Sequence, residues 1–237
     1  MNYVSSGGKN KMIFFDIDGT LLDYDYAERE GILDFFRSTP NLDTYTEKQS
    51  IEIWKQLSHD YFEKYLANEL SFEEQKRLRM IELFKRVETK LTNKEADEKF
   101  KSYLSFYKKC WKPYSDVKEV LGKLIKLGYS LGVISNGDYD QQVDKLQCMG
   151  IEGYFECIVT SSKVGVAKPN QAIFVDACRQ TSTPMENCFY VGDKLEADAL
   201  GSRMAGMRGI WLNRKDEQYQ GDITVIKSLH ELLTVIT

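Results

Sequence analysis

The chain has 237 residues, 42% hydrophobic and 29% charged, with a net charge of −4. That length suits one large domain or a core with a smaller companion, and the acidic balance excludes a global basic footprint for nucleic acid. No apolar run approaches a membrane span, and five cysteines (Cys110, Cys148, Cys157, Cys178, Cys188) without C-x-x-C spacing argue against a disulfide framework or zinc site and for a reducing cytoplasm.

Residues 1–11 are polar, contain Gly and Ser, and lack the apolar stretch of a signal peptide, so they read as a short disordered tail. Met12-Ile13-Phe14-Phe15 is short enough to be a buried parallel strand. Asp16-Ile17-Asp18-Gly19-Thr20 follows at once. Two carboxylates therefore emerge at the carboxyl end of a strand, where open α/β sheets place their ligands. Spaced i and i+2, they share one side if strand geometry persists. The plain reading is a strand and an Asp-Gly turn. The chemical reading is a carboxylate pair that needs a cation or proton to neutralise it. Mg²⁺ with a phosphate substrate would do so, with Asp16 a nucleophile and Asp18 a general acid and base.

Glycine is absent from Ile32 to Leu121, and Pro40 is the one proline in that stretch before Pro113. Thr46-x-x-Gln49, Ser71-x-x-Glu74 and Thr92-x-x-Glu95 are capping boxes, in which two side chains satisfy orphan backbone donors at a helix start. With a helix near 27–37 they predict four helices. Aromatics are dense here, and at helical spacing most belong to a core, while one or two are available to stack on a planar ligand.

From Pro113 onward strands and helices alternate. Helices over 115–127, 141–149, 171–179 and 197–205 lead to or separate strands at 131–134, 157–159, 188–191 and 209–212. Alternation of this length implies a doubly wound parallel α/β sheet. Its core would comprise 12–23 and 111–237, with 24–110 inserted as an α-helical cap over the strand ends.

Three more clusters fall at strand ends. Ser135-Asn136-Gly137 is either an ordinary Asn-Gly turn or a hydroxyl, an amide and a flexible glycine for phosphate oxygens. Lys168 is either a solvated lysine or a charge that neutralises phosphate and keeps the Asp16 carboxylate ionised. Asp193 is placed to bind a hard cation through oxygen. Asp198 either answers a helix N-terminus or orients Asp193 or Lys168.

The ordered set Asp-x-Asp-Gly-Thr, Ser, Lys and Gly-Asp-x-x-x-x-Asp resembles the haloacid dehalogenase-like superfamily of phosphohydrolases, over nearly the whole chain. The helical insertion is similar to the subfamily with an α-helical cap. Val164 to Pro169 and Ser228 to Leu232 look like a branch containing pyrimidine 5′-nucleotidases, although Lys194 departs from the small or polar residue expected after Asp193. The resemblance implies an aspartyl-phosphate on Asp16 and acid–base work by Asp18. It implies Mg²⁺ on Asp16, the carbonyl of Asp18 and Asp193. It also implies phosphate contacts from Ser135, Asn136 and Lys168, and support from Gly19, Thr20, Gly137 and Asp198. The expected partner is a small phosphorylated metabolite, a nucleoside 5′-monophosphate ahead of a sugar phosphate, with no nucleic acid, no membrane, and a monomer or small homo-oligomer. Rivals are a 2-haloacid dehalogenase, which lacks the second aspartate, a phosphosugar mutase, and a receiver-like phospho-aspartate switch, which is shorter and has no helical insertion.

Overall fold

The computed structural model describes residues 11–236. The tail expected over 1–11 lies outside the described residues but for Lys11. The chain divides into two compact units, Met1–Leu22 with Pro113–Thr237, and Asp23–Lys112.

After the first strand, β1 (Met12–Phe15), the chain enters the helical unit. Its helices are α1 (Tyr24–Ser38), α2 (Glu47–Leu66), α3 (Phe72–Lys85) and α4 (Asn93–Lys109). The last three start where the capping boxes fall. The side chains of Thr46, Ser71 and Thr92 accept from the backbone three residues on, and Gln49, Glu74 and Glu95 accept from the cap's own N–H. Donors that would be orphaned at each helix start are thereby satisfied. Helix α1 packs on α4 and α2, and α3 packs on α2 and α4. Gly31 permits the closest approach, since a Cβ there would stand 2.7 Å from Tyr107 Cα. Phe35, Phe36, Trp54, Phe84, Phe100, Tyr103 and Tyr107 are buried. These rings meet mostly edge to face, the arrangement their quadrupoles favour. Tyr61, Phe62, Tyr65, Phe72 and Phe106 remain half-buried.

The other unit continues through α5 (Val117–Lys126), β2 (Ser130–Ser135), α6 (Tyr139–Cys148), β3 (Cys157–Thr160), α7 (Ser161–Val164) and α8 (Gln171–Thr181). It ends with β4 (Cys188–Gly192), α9 (Gly201–Ala205), β5 (Arg208–Leu212), β6 (Thr224–Ile226) and α10 (Leu229–Val235). The strands form one parallel sheet in the order β3-β2-β1-β4-β5-β6. This is the doubly wound α/β class read from the sequence. All four residues of β1 are fully buried, as a central parallel strand requires. Met12 and Phe14 share one cluster with Ile173, Phe174 and Ala177 of α8, while α5 packs on β2 and α10. The chain winds outward from β1 to β3, then returns to β4 on the opposite side of β1. The crevice at that reversal, between β1 and β4, is where such sheets bind ligands.

Two stretches differ from the sequence reading. The helix expected over 197–205 is divided into a π-helical turn, Leu195–Leu200, and α9. The N–H of Ala199 reaches back to the carbonyl of Lys194, five residues away, which widens the turn and carries the Asp198 side chain inward. Strand β6 and helix α10 were not foreseen as elements. β6 is three residues long and lies on the sheet edge, too short for a period-2 pattern.

Candidate functional site

Asp16 leaves the end of β1 directly beside β4, its N–H donating to the carbonyl of Val191 at 3.0 Å. The residue is 6% exposed, and its Oδ1 accepts from Lys168 Nζ at 2.7 Å. Lys168 is equally buried and donates at 2.7 Å to Asp198 Oδ1 and to Tyr190 Oη. Tyr190 in turn donates to the carbonyl of Ile134 at 2.7 Å, tying the cluster to β2. Burial alone would lower the Lys168 ammonium, but the Asp16 and Asp198 carboxylates outweigh it and hold the group above its ordinary value.

Asp193 follows β4, and its own carbonyl accepts from Trp211 Nε1 at 2.9 Å, which fixes the residue against β5. Asp16, Asp193 and Asp198 offer carboxylate oxygens that all lie within 4.8 Å of one another. Burial, opposed by Lys168 and reinforced by the charges of Asp198 and Asp18, pushes Asp16 up to about 6. Burial and then the charges of Asp198 and Asp16 push Asp193 up to about 7. Three carboxylates against the ammoniums of Lys168 and Lys194 still leave negative charge in excess, which a divalent cation would neutralise.

The donor set fits such an ion. Asp193 Oδ1 is buried without a hydrogen-bond partner among the described residues, while Oδ2 faces the Lys194 ammonium at 3.3 Å. Lys194 thus occupies one oxygen of Asp193 and leaves the other open. Asp198 is already committed at both oxygens, Oδ1 to Lys168 and Tyr190 and Oδ2 to the Lys194 N–H at 2.9 Å. Its place is to orient Lys168 and the start of the 195–200 turn, and Asp16 and Asp193 are the carboxylates that suit a hard cation. Gly19 keeps the space open. Its φ is 86°, and a Cβ there would stand 2.5 Å from Asp193 Oδ2.

Asp18 lies in the turn after β1, closed by the Gly19 N–H to the carbonyl of Leu22 at 3.0 Å. Its carboxylate accepts from Lys145 Nζ at 2.7 Å on both oxygens and from Gln142 Nε2 at 3.2 Å. Ser135, at the end of β2, accepts from the same Gln142 Nε2 at 2.9 Å. Gly137 donates its N–H to Ser161 Oγ at 2.9 Å. Thr20 is fully buried, its carbonyl accepts from Arg214 Nη2 at 3.1 Å, and its hydroxyl has no partner among the described residues. Arg214 also grips Asp116 with both terminal nitrogens at 2.9 Å, and so anchors the turn from behind.

The Asn136 side chain is engaged within the protein. Its Nδ2 donates to the carbonyl of Lys168 at 3.0 Å, and its Oδ1 accepts from the Lys168 N–H at 2.8 Å. The side chain is a clamp on the backbone of Lys168. Gln142, Lys145, Tyr190 and Arg214 were all missed. Tyr190 alone carried a signal, a hydroxyl in the middle of an otherwise apolar strand.

A family model described as hydrolase, haloacid dehalogenase-like hydrolase, matches residues 10–206. The chain belongs to that family. A glyceraldehyde 3-phosphate phosphatase of Methanopyrus kandleri is 39% identical over 103 residues, 44% of this chain and 44% of the relative. The pyrimidine 5′-nucleotidase YjjG of Escherichia coli is 39% identical over 106 residues, 43% of this chain and 47% of the relative. The chain thus spans about half the length of these two relatives. A magnesium-bound crystal structure of YfnB, a putative HAD-hydrolase of Bacillus subtilis, matches with a TM-score of 0.81 at 20% identity, over 97% of this chain and 99% of that one. That likeness carries the fold.

Proposed function

We propose that the chain is a Mg²⁺-dependent phosphatase that hydrolyses a small phosphomonoester through an aspartyl-phosphate on Asp16. The observation that carries the reading is the buried Asp16 carboxylate, held by Lys168 and set with a carboxylate oxygen of Asp193 within 4.8 Å of it at the reversal of the sheet. Mg²⁺ held by Asp16, Asp193 and the carbonyl of Asp18 would supply charge neutralisation and keep the phosphate aligned. The chain's own residues do the rest. One oxygen of Asp16 attacks phosphorus, and the bond from phosphorus to the leaving oxygen breaks. Asp18 enters the cycle protonated and gives that oxygen its proton, becoming a carboxylate. Asp18 then takes a proton from water, the water oxygen attacks phosphorus, and the bond to Asp16 breaks, freeing inorganic phosphate and the carboxylate. Lys168 and Ser135 balance the charge on the remaining phosphate oxygens, with Asn136 holding Lys168 in register.

Asp18 favours this chemistry over halide displacement, which needs no proton donor for its leaving group. The names of the relatives support a small phosphorylated metabolite, and we take a nucleoside 5′-monophosphate first and a sugar phosphate next. Phosphate release from a panel of phosphorylated metabolites, with Mg²⁺ and with EDTA, tests the reading. Turnover of at least one small monoester that EDTA abolishes is expected. Release of halide from 2-haloacids in EDTA would overturn it.

A further inference from the structure

We propose that Gln142 and Lys145 are positioning residues that aim the carboxyl group of Asp18 at the leaving-group oxygen, an inference that rests on the phosphatase reading above. Asp18 sits beyond the end of β1, in a turn where the backbone no longer fixes the direction of its side chain, and its carboxylate is 26% exposed. Left alone it would sample its rotamers. Proton transfer demands hydrogen-bond reach to one defined oxygen, and a small misplacement of a reacting group is costly in rate.

Helix α6 supplies the constraint. Gln142 and Lys145 are three residues apart and therefore on one helical face. They are 2% and 3% exposed, although both are polar and one is charged. Placing an ammonium there is unfavourable unless a partner compensates, and an apolar residue would serve packing alone better. Lys145 Nζ lies 2.7 Å from each oxygen of Asp18, which fixes the plane of the carboxylate. Gln142 Nε2 donates at 3.2 Å to Asp18 Oδ2 and at 2.9 Å to Ser135 Oγ. One amide nitrogen therefore couples the candidate acid to the candidate phosphate-binding hydroxyl, so that the two keep a fixed separation. Gln142 Oε1 is buried without a partner among the described residues. The amide thus leaves its acceptor unsatisfied to present its donor to this site, as expected where position matters more than local stability.

The test is kcat/KM for the wild type, Lys145→Met and Gln142→Leu on two monoesters. One is p-nitrophenyl phosphate, whose leaving phenolate needs no proton. The other is the alkyl phosphate, among nucleotides and sugar phosphates, that the wild type turns over fastest. kcat/KM reports the path up to phosphoryl transfer onto Asp16, so the later use of Asp18 as a base does not enter. A loss about tenfold or more larger on the alkyl ester than on the aryl ester is expected for both variants. Lys145→Arg, whose fork can meet both Asp18 oxygens, should recover most of the alkyl rate. Equal losses on the two esters, or none, would overturn the proposal and leave α6 a structural helix. If Lys145→Met fails to fold by circular dichroism, Gln142→Leu decides on the same two esters. Absence of any Mg²⁺-dependent turnover by the wild type would overturn the phosphatase reading itself, and that outcome is read on the unmutated chain.

Discussion

Lys168 Nζ stands 2.7 Å from Asp16 Oδ1 and joins residues 152 positions apart in the chain. The same ammonium holds Asp198 and Tyr190, so a single side chain ties β1 to β4 and the 195–200 turn. Lys168→Met would leave the buried carboxylates of Asp16 and Asp198 without their cation. Breaking a buried pair by removing one partner costs on the order of 3–5 kcal/mol. The urea midpoint should fall accordingly, and kcat/KM should fall by about a hundredfold or more through lost charge stabilisation. A variant as stable and as active as the wild type would contradict the central place given to this lysine.

Gly19→Ala tests the fit of the cation. The methyl group would meet the Asp193 carboxylate at 2.5 Å from a backbone whose φ of 86° side chains rarely adopt. Binding of an ion to the folded state raises the melting temperature by mass action. A clear Mg²⁺-dependent rise is expected for the wild type and a much smaller one for the variant. Equal rises in both would remove Asp193 from the ligand set.

The Asp116–Arg214 pair gives a pH dependence. Burial would raise the Asp116 carboxyl, but the Arg214 fork and the N–H of Leu229 outweigh it and hold it below the usual carboxylate range. Its folded value therefore lies below its unfolded one. The stability it contributes is present in full above the unfolded value of about 3.9 and is lost as pH falls through the folded value. Urea midpoints of wild type and Asp116→Asn, taken from neutral pH downward, should differ most near neutrality and converge in acid. A constant difference across the range would contradict the linkage.

Substrate choice is read from kcat/KM across nucleoside monophosphates and sugar phosphates. A preference of at least about tenfold, or 1.4 kcal/mol, is expected for the best nucleotide. A smaller preference would mean that the aromatic residues of the helical unit serve its own packing and that no base is recognised.

The features legible in the sequence are those whose cause is local. Each capping box is a bond between residues three apart, so Thr46, Ser71 and Thr92 could be read directly. β1, β2 and β4 are short apolar runs, and a parallel sheet aligns their carboxyl ends. Asp16, Ser135 and Asp193 therefore had to share one edge of the sheet once the strands were placed. What escaped depends on partners distant in sequence. Lys145 and Gln142 sit among Asp140, Gln141 and Asp144 and read as a solvated helix face, because their partner Asp18 is more than a hundred residues away. The bond between the Asn136 side chain and the Lys168 backbone, 32 residues on, likewise leaves no local signal. The π-helical turn before α9 rests on a bond five residues back, for which no side-chain period exists.

The measurement that bears most directly on the chemistry is a single turnover with phosphorus-labelled substrate, quenched in acid and mapped by peptide. Covalent label on the peptide carrying Asp16 is expected in the wild type and none in Asp16→Asn, which should also keep less than about 1% of the turnover, given the several orders of magnitude a covalent nucleophile supplies. Rapid wild-type turnover with no label on that peptide, together with an Asp16→Asn chain that still hydrolyses the substrate, would contradict it.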